Sequence, residues 1–136
     1  MLKRFFLALA TVLAIAVPVA ADPVEDPAVA AAKEWLKLID DKDYVASWAD
    51  AATLFQQGIN QEAWVKQVSA PRAQLGALKS RKFQSFQQMT SLPGVPDGDY
   101  AVVTFESVFE NKAQAMELTT LVHEGKVWKV GGYFIK

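Results

Sequence analysis

Hydrophobic positions along this chain follow three successive patterns: an unbroken apolar run, then helical spacing, then alternation. The run comes first. Phe5 to Val17 is apolar except for Thr11, Lys3 and Arg4 precede it, and Pro18-Val19-Ala20-Ala21 closes it with small residues. That is the layout of a secretory signal, and cleavage after Ala21 leaves Val19 and Ala21 at the small-residue positions a signal peptidase reads. A membrane-spanning helix needs about 20 apolar residues, and this run is shorter. Residues 1–21 are therefore expected to be removed on export, leaving a periplasmic or secreted product. Residues 22–27 (DPVEDP), with two prolines and three acids, predict an extended linker.

Helical spacing begins immediately afterwards. Ala28, Ala32, Trp35, Leu36 and Ile39 form one apolar stripe, with Asp26 placed to cap it and Pro27 at the first position. Asp40-Asp41-Lys42 interrupts the stripe. Asp43 can cap a second helix on which Tyr44, Trp48, Ala51, Ala52 and Phe55 share a face, and Gly58 ends it. Asn60 can cap a third, carrying Trp64, Val65 and Val68. Pro71 lacks an amide donor and is expected to kink or restart this helix, with Leu75 and Leu78 continuing its stripe.

Alternation then takes over. Lys82 to Thr90 is rich in Phe, Gln, Ser and Thr and predicts a strand, followed by turn chemistry in Leu92 to Gly98 (LPGVPDG). Between Asp99 and Glu110, Ala101, Val103, Phe105, Ser107 and Phe109 share one face, and Tyr100, Val102, Thr104, Glu106 and Val108 the other. Asn111-Lys112 turns the chain. Ala115 to Glu124 places Met116, Leu118, Thr120 and Val122 opposite Glu117, Thr119, Leu121 and His123, and Gly125 permits a hairpin into Val127–Ile135. Helices followed by consecutive strands predict a single α+β domain over 28–136: N-terminal helices packed on a curved, four-stranded antiparallel meander.

Composition sharpens this picture by exclusion. Export leaves 115 of the 136 residues, enough for one core without staples, and none of them is cysteine. Disulfides, thiolate catalysis, cysteine zinc sites and lipidation through cysteine are excluded. Trp35, Trp48, Trp64 and Trp128 supply the bulk such a core needs. Of the 14 basic residues two leave with the leader, so acids exceed bases by three in the remainder. Arg81-Lys82 is its only basic pair. Nucleic acid and anionic membranes both require a basic stripe, and neither is an expected partner.

The segments AAAKEWLKLID (30–40), DYVASW (43–48), RAQLGALKSR (72–81), LPGVPDGDY (92–100) and GKVWKVGGYFIK (125–136) resemble, in that order, the bacterial domain of unknown function 4019 (DUF4019). The likeness runs from about Ala30 to Lys136. It implies an exported bacterial protein, but no established activity, cofactor or catalytic residue. Its order of helices and meander is similar to the cone-shaped nuclear transport factor 2-like (NTF2-like, cystatin-like) architecture. Fold alone does not carry a function.

Candidate chemistry is sparse. Arg72 and Arg81, near the helix-to-strand junction, can clamp a carboxylate or phosphate on a ligand. The favoured reading is that they pair with Asp40, Asp43 or Glu117 and tie helix to sheet, with Gly76 simply admitting a close neighbour. His123, the one histidine, lies beside a hairpin turn and reads as solvated. Asp40, Asp41 and Asp43 lack the glycine and distal glutamate of a calcium loop, and two of them suit helix ends. No metal site and no cofactor is expected.

Tyr44, Trp48, Trp64, Phe105, Phe109, Trp128, Tyr133 and Phe134 either fill a core or line a cavity in a curved sheet. Glu106 or Glu117 facing such a cavity would have a raised pKa. The leading expectation is a non-enzymatic module binding a small apolar or anionic ligand, or another envelope protein, through Arg72, Arg81, Tyr44, Trp48, Trp64 and Trp128. An enzyme using Asp40, Tyr44, Arg72 and Glu106 is the alternative, and it requires those side chains to converge on one cavity. A third reading is self-association into a homodimer through an exposed sheet face or the last strand.

Overall fold

A computed structural model describes residues 25–136, so the leader 1–21 and the first residues of the linker lie outside the described residues. Helix α1 spans Pro27–Asp40, and the Asp26 carboxylate accepts from the Ala28 N–H at 2.9 Å. Its stripe of Ala28, Val29, Ala32, Trp35, Leu36 and Ile39 is buried. The helix ends in a tight turn: the Lys42 N–H donates to the Ile39 carbonyl at 3.1 Å and the Asp43 N–H to Leu38 at 2.9 Å. This paired closure needs a left-handed residue, usually glycine. Here it is Lys42, at φ +62°.

The single second helix predicted from the sequence is two. Asp43 caps α2 (Tyr44–Ala49) through the Ala46 N–H, and α3 covers Thr53–Gly58. The break between them is long-range in origin. The Ala52 N–H donates to the Val130 carbonyl at 2.7 Å, and the Glu124 carboxylate accepts from the Thr53 N–H at 2.5 Å, capping α3 from the far end of the chain. Helix α4 runs Gln61–Leu75, capped by Asn60. Pro71 lies inside α4 without restarting it, on an exposed face where water can serve the carbonyl its missing N–H leaves free.

The strands are β1 (Leu78–Met89), β2 (Tyr100–Phe109), β3 (Lys112–Glu124) and β4 (Val127–Ile135), antiparallel neighbours in chain order. The α+β meander read from the sequence is thus the fold. Strand β1 starts at Leu78 rather than Lys82. Gly76, at φ +74°, ends α4 abruptly, and backbone bonds from Glu110 to Ala77 and from Asn111 to Leu75 seize the chain at once. Strand β3 likewise starts at Lys112 instead of Ala115, because Glu110-Asn111 makes a tight turn.

Both predicted faces are correct. Ala101, Val103, Phe105, Ser107 and Phe109 are buried beneath the helices, and Phe105 pairs with Glu117, Val103 with Thr119 and Ala101 with Leu121. The outward face carries Glu106, Met116 and Phe134 exposed to solvent. The inner face is filled rather than hollow. Trp35 lies edge-on to Tyr133 at 5.5 Å and 6.1 Å from Trp64. One buried serine joins the two indoles: Trp35 Nε1 donates to the Ser47 carbonyl at 2.8 Å and Trp64 Nε1 to the Ser47 hydroxyl at 2.9 Å. No helix among the described residues is long and apolar enough to cross a membrane.

A Cβ on Gly76 would stand 2.9 Å from Glu110 Oε2 and 3.0 Å from Glu110 Cβ, at a φ that L side chains rarely adopt. Gly76→Ala is expected to lower stability by about 1–3 kcal/mol. Urea denaturation would show it as a lower midpoint at unchanged slope. An unchanged midpoint would mean that the α4–β1 junction is not held as described.

Candidate functional site

The end of α1, the last turn of α4 and the middle of the sheet meet at a buried cluster of charge. Arg81, on the inner face of β1, grips Asp40 with both terminal nitrogens, Nη1 to Oδ2 at 2.7 Å and Nη2 to Oδ1 at 2.9 Å. Its Nε donates to Glu117 Oε1 at 2.8 Å. Arg72 donates from Nη2 to Asp40 Oδ1 at 3.1 Å and holds Nη1 at 3.7 Å from Glu117 Oε2. Ser107 Oγ donates to Glu117 Oε1 at 2.5 Å, and the Tyr133 hydroxyl donates to the other carboxylate oxygen. Below, the Arg72 guanidinium carbon sits 4.9 Å over the Phe109 ring centroid.

Burial makes this arrangement consequential. The side chain of Glu117 is 0% exposed, Arg72 5%, Arg81 13% and Asp40 21%. Two guanidiniums face two carboxylates, and no buried side-chain nitrogen or oxygen among the described residues lacks a partner. Burial opposes the charge on Arg81, but its hydrogen bonds and charge pairs with Asp40 and Glu117 outweigh that and raise its pKa. Arg72 is likewise raised against burial, by Tyr133 and Asp40. The Tyr133 hydroxyl is pushed well above its ordinary value, first by burial and then by the charge of Glu117 beside it.

The other candidate residues do not join this cluster. Asp43 is occupied capping α2, so of the three acids weighed as arginine partners only Asp40 and Glu117 serve. Trp64 is core, and Trp48 donates from Nε1 to the Ile59 carbonyl at 2.8 Å, bracing the α3–α4 turn. Trp128 stacks on His123 at 4.8 Å and lines a separate cleft between α1 and β4. Tyr44 does approach the cluster: with Asp40, Arg72, Lys42, Gly76 and Glu110 it borders a rim cleft of about 550 Å³. Glu106 points out of the opposite sheet face, bordering another depression. The set Asp40, Tyr44, Arg72 and Glu106 therefore does not assemble around one cavity. Among the described residues no three His, Cys, Asp or Glu side chains gather where they could hold a metal.

Sequence reasoning missed Tyr133 and Ser107 as partners of Glu117. The signal for Ser107 was present, since a serine and a glutamate both fall on the inward-facing pattern of neighbouring strands. Tyr133 carried no such signal, because its ring fits a plain core equally well.

Removing one partner of a buried ion pair leaves the other charge stranded, at about 3–5 kcal/mol. Glu117→Leu and Arg81→Met should each destabilise on that scale. The double variant should fall short of the sum by about 1–3 kcal/mol in urea titrations; strict additivity would refute the coupling. Tyr133 gives a pH test. Its proton is held more tightly folded than unfolded, so its contribution is complete below the ordinary value of 10.0 and is lost as pH climbs toward the folded value. Stability should fall with pH above about 10 more steeply in the native protein than in Tyr133→Phe. Parallel slopes would contradict the hydroxyl's assignment.

The arrangement of helices and sheet has a counterpart among solved structures. The chain is similar in structure to Aln2 from a Streptomyces species, with 13% identity, 81% of this chain and 87% of that one covered, and a TM-score of 0.50. At that identity the likeness is one of fold, and the fold is NTF2-like. No curated protein matches the chain. A family model described as "Protein of unknown function (DUF4019)" matches residues 31–133, most of the chain and all of its helices and strands except their outer ends. The chain belongs to the DUF4019 family.

Proposed function

We propose that this protein is an exported, non-enzymatic binding module that takes a small molecule in the rim cleft beside the ion network. One contrast carries the reading. The buried network is closed, whereas the adjoining cleft of about 550 Å³ is open and bordered by Lys42 and Glu110, which enter no ion pair among the described residues. The network carboxylates are engaged rather than free to take a proton from a substrate. Asp40 already receives Arg72 and Arg81, and Glu117 receives Arg81, Ser107 and Tyr133. That leaves them suited to holding a scaffold rigid, which is what a binding site on its rim requires. Export is supported by the leader pattern of residues 1–21.

Two measurements test this. Cell fractionation with intact-mass analysis should find the protein outside the cytoplasm, beginning at Asp22. A full-length chain held in the membrane fraction would overturn export with cleavage. A thermal-shift screen of small polar metabolites should return a compound that raises the melting temperature by several degrees at about 100 times its Kd. The shift should be lost in Tyr44→Ala. A screen without such a compound would overturn the binding reading.

A further inference from the structure

We propose that the rim cleft recognises a zwitterion, a molecule presenting one carboxylate and one ammonium, as the two ends of a short peptide do. The inference rests on reading this cleft as the binding site and names the ligand class it takes.

Lys42 provides the first observation. It occupies the left-handed turn position after α1, at φ +62°, and lines the cleft. Glycine adopts that conformation without steric penalty, whereas a residue with a Cβ is strained by about 1–2 kcal/mol. A cation near a helix C-terminus recovers only about 0.3–1 kcal/mol, and Lys37 already supplies one in the last turn. The fold itself therefore gives no reason for lysine there. A strained residue whose side chain the fold does not use is the mark of a functional position.

Glu110 provides the second. It stands on the β2–β3 turn, with its carboxylate laid against Gly76 in the space a methyl group would fill. The missing side chain of Gly76 thus leaves room for a carboxylate at the cleft wall, and that carboxylate has no ion-pair partner among the described residues.

The balance of charge then selects the ligand. The other charged residues in the lining, Asp40 and Arg72, are balanced inside the network, where Asp40 and Glu117 offset Arg72 and Arg81. One cation and one anion remain available, so neither a simple anion nor a simple cation satisfies both. A carboxylate on Lys42 and an ammonium on Glu110 do, through charge-assisted hydrogen bonds. Tyr44, Ile39 and Leu78 supply less polar parts of the lining.

The test is calorimetric titration of the purified protein with di- and trialanine, their N-acetylated forms and their C-terminal amides. At least one free peptide should bind about tenfold or more tighter than either of its blocked forms. Lys42→Gly should abolish discrimination against the amide while leaving the protein equally or more heat-stable, which separates lost recognition from lost folding. Glu110→Gln should abolish discrimination against the acetylated form. Equal binding of free and blocked peptides overturns the inference, as does unchanged discrimination in both variants. Absence of peptide binding overturns it too: if the metabolite screen still yields a Tyr44-dependent ligand, the binding-module reading survives, and if it does not, both fall.

Discussion

Glu117 sits at an inward position of β3 with no access to water, and its charge is tolerable only between two arginines. Much else in the molecule follows from that constraint. Arg81 pairs with Ser107 in the sheet, while Glu117 pairs with Phe105, so the guanidinium reaches diagonally across β2 to the carboxylate. A one-residue slip of β1 against β2 would turn Arg81 outward and leave the carboxylate without its Arg81 partner. The ion pair therefore sets strand register. Through Asp40 and Arg72 it also fixes where α1 and α4 end over the sheet.

Two helix termini converging on one charged cluster create a packing problem at the rim. Helix α1 must stop at Asp40 and turn at once, and α4 must stop just beyond Arg72 and become a strand. Both turns are made by left-handed residues, Lys42 and Gly76. The cleft is the space these two turns leave beside the β2–β3 hairpin. It is thus a by-product of anchoring the core charges, walled by backbone held on several sides. A wall of that kind is pre-shaped, which would limit the ordering cost of the binding proposed there.

How far this was legible in the sequence depends on the range of the interaction. Strand faces were readable, because side chains alternate with a period of two, which groups Glu117 with Thr119 and Leu121. Arg81 was not, because the strand read from the sequence began only at Lys82. The division of the second helix was not. Nothing near Ala52 or Thr53 in sequence reveals that Val130 and Glu124 will claim their N–H groups. Pro71 misled for the opposite reason: a local rule gave way to a helix already pinned at both ends by its cap and by Gly76. Trp48, Trp64 and Trp128 each fall on a readable face of their own element, yet they lie in different places. A face can be read from spacing, whereas the angle at which two elements cross cannot.

The two left-handed residues also separate structure from function at this rim. Gly76 is explained from within: a side chain there would collide with Glu110, and the bonds from Glu110 and Asn111 leave no slack for it to move. Lys42 is exposed and in no ion pair among the described residues, and the turn it makes would be easier with glycine. Among the described residues every buried polar side chain finds a partner, so a strain that nothing inside the chain offsets points outward. The same reasoning distinguishes Glu110 from Glu117. One carboxylate is consumed in holding the sheet to the helices, and the other, beside Gly76 at the same junction, lines the cleft without an ion-pair partner among the described residues.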